Sequence, residues 1–169
     1  MTLTIRDAVR ADAPVILGFI IDLATYEKAA DAVDATVDSL TDTLFGPKPA
    51  ARAVIAEKDG RPVGFAIFFY SYSTWQARKG LYLEDLYVAP EARGTGAGKA
   101  LLRHLARIAL TEGCGRFEWS VLDWNAPAIR VYDAIGAKPQ SEWIRYRLTG
   151  DDLAAFADGD AMKTGDQDA

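Results

Sequence analysis

Apolar residues recur every three or four positions along several stretches of the chain, and this spacing predicts amphipathic helices. The first predicted helix follows Asp12, a candidate N-cap, and has Pro14 in its first turn. Its buried face is expected to consist of five apolar or aromatic side chains: Ile16, Phe19, Ile20, Leu23 and Tyr26. Thr36 is expected to cap a second helix that ends at Gly46-Pro47.

Two more helices are predicted in the second half of the chain. One follows a glycine-rich stretch and is closed by Gly113. Its apolar face is formed by Leu101, Leu102, Leu105, Ile108 and Ala109. The other opens at Asn125 and Pro127 and ends at Gly136.

Alternating or continuous apolar runs between these helices predict strands. Leu3 and Ile5 indicate a first strand, and residues 52–57 and 62–72 flank Asp59-Gly60, a pair suited to the positive φ angles of a tight hairpin turn. Further strands are expected over residues 81–88, 117–122 and 142–148. Hairpin-like strands early and strand-helix alternation late predict an α/β or α+β sheet covered by helices.

Composition and length favour one soluble domain. The chain has 169 residues, of which 50% are hydrophobic and 25% charged. We expect this domain over residues 1–157, followed by a mobile tail over 158–169 that is rich in small and polar residues. The longest apolar runs are far shorter than the roughly 20 residues of a membrane-spanning helix. With no signal-peptide pattern at the N-terminus, a cytoplasmic location without membrane association is expected.

The charge balance indicates which kinds of partner the protein is expected to bind. Lys and Arg number 19 against 24 Asp and Glu, a net charge of -5, which disfavours nucleic acid and suits a cationic small molecule. One cysteine, Cys114, and one histidine, His104, exclude a disulfide framework and leave no zinc-ligand cluster, so no metal is expected. No histidine lies near Cys114 in the sequence to activate its thiol.

A glycine-rich loop lies between the strand at 81–88 and the next helix, where free backbone N–H groups can bind an anion. A P-loop requires Gly and Ser or Thr where Arg93 and Ala100 stand. A dinucleotide-binding fingerprint requires a third glycine where Lys99 or Leu101 stands. Both motifs are therefore excluded, and either another phosphate-binding motif or a flexible turn before the helix remains.

Glu84 and Asp85 stand inside an otherwise apolar strand, where charge is unfavourable unless the pair lies at an edge or in a cleft. Successive strand side chains point to opposite faces, so both can face one pocket only across a bulge or bend. The alternatives are a binding site and a splayed pair facing solvent.

Arg93-x-x-Gly96-x-Gly98 resembles the pyrophosphate-binding signature of the GNAT superfamily of N-acetyltransferases. The resemblance narrows to the diamine acetyltransferase branch, which includes spermidine/spermine acetyltransferase and its thialysine-acetylating relatives. The matching stretches are 23–27, 70–75, 81–85, 93–98, and Trp124-Asn125-Ala126-Pro127 with Tyr132 and Gly136-Ala137.

This resemblance implies a twisted, mixed, mostly antiparallel sheet flanked by helices, acetyl-CoA as the cofactor, and a homodimer with residues 143–148 as a candidate interface. The residues implied to bind the cofactor are Leu86, Tyr87 and Val88 along the pantetheine arm, Arg93, Gly94, Thr95, Gly96, Ala97, Gly98 and Lys99 around the pyrophosphate, and Asn125.

The implied catalytic residues are Glu84, which would deprotonate the amine directly or through water, and Tyr132, which would protonate the departing sulfur. The residues implied to hold a cationic chain are Tyr26, Glu27, Trp75, Glu84 and Asp85. Tyr132 could equally pack in a core, and Trp75 could cover a strand edge.

We therefore expect direct transfer of an acetyl group to a polyamine, a diamine or a lysine-like amino acid. A protein or peptide N-acetyltransferase and a noncatalytic acyl-CoA sensor are the alternatives.

Overall fold

Five strands form one sheet, in the order β1-β2-β3-β4-β5, in a computed structural model that describes residues 2–159. The strands are β1 (Leu3–Asp7), β2 (Arg52–Lys58), β3 (Arg61–Ser73), β4 (Arg78–Val88) and β5 (Phe117–Trp119). The first four are antiparallel to their neighbours, whereas β5 is parallel to β4. The expected mixed, mostly antiparallel sheet is confirmed.

Three helices accompany the sheet: α1 (Ala13–Tyr26), α2 (Val37–Phe45) and α3 (Ala97–Thr111). Phe65 and Ile67 of β3 are packed in one core with α1 and α2. Ala66 and Phe68 alternate with them and are equally buried, so they belong to the opposite face, which α3 covers. The sheet is thus apolar on both faces.

A side-chain cap was predicted for two of these helices, and the structure shows one of the two. Thr36 accepts the Ser39 N–H at 3.1 Å and caps α2 as predicted. Asp12 precedes α1, but the prediction that it caps this helix is wrong. Its carboxylate accepts two bonds from Arg6, at 2.6 and 2.9 Å, and one from the Val9 N–H, so its oxygens are already engaged by partners that precede the helix.

The hairpin between β2 and β3 follows the prediction closely. Asp59 and Gly60 have φ angles of +51° and +77°, the left-handed conformations that a two-residue turn of this kind requires.

The described residues form two compact units, one that ends at Ile129 and holds the whole sheet, and one that begins at Arg130. The boundary falls within a continuous helix, α4 (Ala126–Ala134), so the single domain over residues 1–157 stays a prediction. Gly136, with a φ of +86°, follows α4 as predicted. Within residues 2–159, no helix is long and apolar enough to cross a membrane.

Two strand predictions need correction. The strand expected over 117–122 ends at Trp119, and residues 142–148 form no strand. The alternating pattern is present there, but a strand forms only where a neighbour pairs with its backbone groups. A helix that was not predicted, α5 (Gly150–Asp158), follows, with acidic residues in its first turn. Asp158 therefore ends a helix, and residues 160–169 of the predicted tail lie outside the described residues.

Candidate active site

Strand β4 carries one extra residue opposite β3, and that residue is Glu84. Ile67 pairs with Asp85 and its neighbour Phe68 pairs with Leu83, which leaves Glu84 without a partner. This arrangement is a β-bulge. The bulge that would let the two carboxylates serve one pocket is therefore present.

The bulge decides which face of the sheet Asp85 occupies. Cross-strand partners lie on the same face, so Leu83 shares the face of Phe68 and Asp85 shares the face of Ile67, which packs with α1. In an unbroken strand Leu83 and Asp85 would lie on the same side. The extra residue thus turns Asp85 toward α1.

Three carboxylates meet where β4 approaches the end of α1. Burial, together with the negative charges of Glu84 and Glu27, raises the pKa of Asp85 to about 6. Burial also raises the pKa of Glu27, which follows the last residue of α1. Glu84 itself is exposed on the bulge. Carboxylates that repel one another in this way stabilise a cation placed among them.

These carboxylates do not form a metal site. Across residues 2–159, no group of three or more His, Cys, Asp or Glu side chains is arranged to hold a metal ion.

The second half of β4 has an open edge. Residues Leu81 to Leu83 pair with β5, and in the described part of the chain this ladder extends no further. The Ala89 N–H donates to the Val63 carbonyl of β3. By alternation, the backbone groups of Leu86 and Val88 therefore point away from β3, toward the open edge. An extended polar ligand can bond to this edge in place of a strand.

The glycine loop lies between this edge and α3. Gly94 and Gly96 have φ angles of +75° and +90°, and a Cβ at either would meet no atom within 4 Å. Glycine is therefore needed here for the backbone conformation, and the space beside the loop is open. The Ala100 N–H bonds back to Gly96, so the N–H groups of residues 97–99 have no carbonyl in their own helix. Open space, free N–H groups and a helix N-terminus fit a diphosphate.

Arg93 is held beside this loop by three contacts. Its Nε donates to the Val88 carbonyl at 3.0 Å. Its guanidinium lies 5.4 Å from the ring centroid of Tyr26 and 5.7 Å from that of Tyr87. The guanidinium carries five N–H donors, more than these contacts use, so it can also bind an anion.

Tyr26, at the end of α1, contacts residues predicted to bind the cofactor. Its hydroxyl donates to Asn125 Oδ1 at 3.3 Å, although the two residues are 99 positions apart. Its ring lies 5.8 Å from that of Trp124, and Lys28 Nζ lies 5.7 Å from the same indole. The sequence pattern predicts no role for Trp124 or Lys28, although Trp124 lies in the Trp-Asn-Ala-Pro stretch that carries the family resemblance.

Two predicted site residues lie outside the part of the first unit that holds the carboxylates and the glycine loop. Trp75 is 90% exposed in the turn between β3 and β4. At a rise of about 3.3 Å per residue, this turn lies roughly 20 Å from Glu84 along β4. Tyr132 lies on α4 in the unit 130–169. The roles of both stay predictions.

Comparison with known proteins places these features in a family. The profile of the Acetyltransferase (GNAT) family matches residues 21–137. Thialysine N-epsilon-acetyltransferase of Sus scrofa is 37% identical over 164 residues, which covers 90% of this chain and 96% of that protein. L-ornithine N5-acetyltransferase of Arabidopsis thaliana is 31% identical, with 90% of this chain and 86% of that protein covered.

The fold has a close counterpart among solved structures. An integron cassette protein from the mobile metagenome of V. cholerae superposes with a TM-score of 0.78 at 28% identity, covering 93% of this chain and 98% of that one.

Proposed function

The chain belongs to the GNAT acetyltransferase family, and on this premise we propose that it transfers the acetyl group of acetyl-CoA to a primary amine of a small cationic acceptor. The observation that carries the proposal is the bulge at Glu84, which turns Asp85 toward Glu27 beside the open edge of β4. Glu84 and Asp85 lie at one end of the second half of β4, and the anion-binding loop follows the other end of this short strand segment.

The diphosphate of the cofactor is assigned to the end of that segment opposite the amine. Backbone N–H groups between Gly94 and Lys99, together with Arg93, would hold the diphosphate, while Leu86 and Val88 would bond to the pantetheine arm. When bound, acetyl-CoA supplies an acetyl group already activated as a thioester. Asn125 would also bind the cofactor.

The acidic residues prepare the acceptor. An alkyl ammonium group has a pKa near 10.4, so it must lose a proton before its nitrogen can attack. Glu84, exposed on the bulge, accepts this proton directly or through water. Asp85 and Glu27 stabilise the remaining positive charge of the acceptor.

We assign the departing sulfur's proton to Tyr132, as the family resemblance implies. A phenol with a reference pKa of about 10 is protonated at neutral pH and can donate to a developing thiolate. Direct transfer is favoured over an acetyl-cysteine because burial raises the pKa of the Cys114 thiol, which makes it a poor nucleophile.

The names of the relatives favour particular acceptors. Thialysine and ornithine are both amino acids with a primary amine on the side chain, so we place lysine-like amino acids first and polyamines or diamines beside them. The three carboxylates suit any acceptor with one amine to acetylate and a second cationic group to hold.

A thiol-release assay with purified protein and acetyl-CoA tests the proposal. The panel contains thialysine, ornithine, lysine, spermidine, putrescine and a lysine-containing peptide. We expect turnover with at least one small diamine or diamino acid, and a loss of about 100-fold or more in kcat in Glu84→Gln. Turnover with the peptide alone would favour a protein acetyltransferase, and cofactor binding without any acceptor would favour a sensor; either outcome contradicts the proposal.

The resemblance also supports a cytoplasmic homodimer, which we retain as part of the proposal. Sedimentation velocity at micromolar concentration tests the assembly, and a single monomeric species would contradict it. Since residues 142–148 form no strand, the interface is not assigned to strand pairing there.

A further inference from the structure

We propose that Arg116 is a specificity-determining residue that binds the carboxylate of an amino-acid acceptor, so that the enzyme prefers lysine-like amino acids to diamines of the same length. This inference rests on the proposed function and deepens it, because it takes a primary amine at Glu84 as the reacting group. It adds a cationic residue to the three carboxylates of the acceptor site.

The side chain of Glu118, on β5, lies on the same face of the sheet as those carboxylates. Glu118 is in register with Tyr82 of β4, and Tyr82 is in register with Phe69 of β3. Phe69 is two residues beyond Ile67 on the same strand, so these side chains share the face on which Ile67 packs with α1. The bulge turns Asp85 toward this same face.

Arg116, which directly precedes β5, lies across this face. Its Nε is 2.8 Å from Glu118 Oε2 in an ion pair. A Cβ at Gly80 of β4 would lie 2.9 Å from Arg116 Cγ and 3.3 Å from its Nε, tighter than ordinary van der Waals contact. The Arg116 side chain therefore crosses β4 in the space that a glycine leaves there, and its position is set before any ligand binds.

The ion pair is open to an incoming ligand. The side chains of Arg116 and Glu118 are 40% and 36% exposed, and the guanidinium has five N–H donors, more than the contact with Glu118 uses. A guanidinium beside a carboxylate complements the α-carboxylate and α-ammonium groups that an amino acid carries on one carbon. A diamine has no carboxylate at that end, and its second ammonium would be repelled by Arg116.

The distance from Arg116 to the bulge fits an acceptor of this kind. Gly80 and Glu84 are four residues apart on β4, roughly 13 Å at about 3.3 Å per residue. An extended lysine-like molecule has roughly six single bonds of about 1.5 Å between its amine and its carboxylate, a length of roughly 8 Å. A hydrogen bond of about 2.9 Å at each end brings its reach to roughly 14 Å. Such an acceptor can therefore present its amine to Glu84 and its carboxylate to Arg116.

Pairs of acceptors that differ only in the carboxylate test this inference in the wild type. Lysine is compared with cadaverine, its decarboxylated form, and ornithine with putrescine in the same way. We expect kcat/KM to be about tenfold or more higher for each amino acid than for its diamine, because the carboxylate forms a charge-assisted hydrogen bond. Lysine methyl ester, which lacks the negative charge, should be acetylated as slowly as cadaverine.

Variants then assign the selectivity to Arg116. Arg116→Gln should lower kcat/KM for lysine by about 10- to 100-fold and leave the value for cadaverine unchanged or higher. Gly80→Ala keeps every charge but displaces the guanidinium, so it should also lower the value for lysine selectively. Arg107→Gln removes an exposed cation from α3, on the other face of the sheet, and as the matched control should change neither value. The KM for acetyl-CoA should stay the same in all three variants.

The outcomes separate this inference from the proposed function. A wild type that acetylates no small amine contradicts the proposed function itself. Equal kcat/KM values for lysine, its methyl ester and cadaverine, or a lysine-to-cadaverine ratio that Arg116→Gln leaves unchanged, would overturn only the role of Arg116. If circular dichroism shows that Arg116→Gln is unfolded, Arg116→Lys, which lacks the planar guanidinium fork, decides by the same ratio.

Discussion

Asp85 holds a carboxylate where its surroundings oppose the charge. It is half-buried on the face that packs with α1, and Glu84 and Glu27 add negative charge nearby. Such a residue lowers the stability of the folded chain, and its value lies in the cation it can bind. Function and stability therefore oppose each other at this position.

The Asp85→Asn variant should be more stable than the wild type at neutral pH. The folded-state pKa of about 6 lies above the ordinary value of 3.8, so the folded protein binds a proton more readily in this window and loses stability as the pH rises through it. Urea unfolding at pH 7.5 should show a gain on the order of 1–2 kcal/mol for the variant, shrinking toward pH 4.

The control for this measurement is Asp42→Asn, which removes an exposed carboxylate from α2. It should show no such gain. If Asp85→Asn is equally stable or less stable than the wild type at pH 7.5, the charged Asp85 does not destabilise the folded chain, and the interpretation is wrong.

Tyr132→Phe tests the assignment of the general acid. Removing the phenolic proton should lower kcat by about 100-fold, since general acid catalysis contributes on that scale, and should leave the CoA affinity unchanged. Stopped-flow kinetics with saturating substrates, beside calorimetry with CoA, would measure the two effects separately. An unchanged chemical rate would remove Tyr132 from the mechanism.

At the level of secondary-structure elements, the two glycines near the start of α3 differ in whether the structure requires a glycine there. Gly96 has a φ of +90°, which an L-residue adopts only under strain. Gly98 is helical, and a Cβ there would meet Val88 Cγ2 at 3.7 Å and Leu86 Cδ2 at 4.0 Å, ordinary contact distances. The first glycine is required by the backbone, and the second is not required by the packing of the free protein.

Gly96→Ala should therefore lower the free energy of unfolding by about 1 kcal/mol or more, whereas Gly98→Ala should not lower it. Urea denaturation of both variants under one set of conditions measures the difference. Equal losses at the two positions would show that the left-handed conformation is not what demands glycine at 96.

Elements with local causes were predicted well. Thr36 caps α2 and Asp59-Gly60 forms the hairpin turn, because each depends on a few neighbouring residues. Asp12 does not cap α1, since its carboxylate is bound by Arg6 from another element. Residues 142–148 have a strand pattern without a strand. Whether Asp12 caps a helix and whether residues 142–148 form a strand both depend on partners from other parts of the chain, which a local pattern does not contain.

At the scale of the whole molecule, Glu112 joins three strands to the end of α3. Its carboxylate accepts bonds from Arg52 of β2 at 2.9 Å, Tyr70 of β3 at 2.7 Å and Lys79 of β4 at 2.7 Å. These partners hold the pKa of Glu112 at about 2, with the bond from Lys79 as the largest cause. The cluster lies away from the active-site bulge and serves the fold.

Glu112→Gln should destabilise the protein at neutral pH and much less in acid. The folded-state pKa is lowered, so this carboxylate contributes fully above its ordinary value of 4.5 and loses its contribution as the pH falls toward 2. Because the side chain is partly exposed, we expect only about 1 kcal/mol at pH 7. Urea unfolding at pH 7 and pH 3 checks this.

Glu91→Gln, at an exposed position, is the control for the pH series. A loss for Glu112→Gln that is the same at both pH values would show that the ion pairs are not its cause.

Periodicity, turn chemistry and glycine conformation act over a few residues, so the order of most elements, the glycine loop and the candidate carboxylates could be predicted locally. The bulge at Glu84, the orientation of Asp85 toward α1, and the contacts of Tyr26 with Arg93 and Asn125 depend instead on how the elements pack. Strand register and contacts across 99 positions arise when separate elements pack together, and no local pattern encodes that pairing.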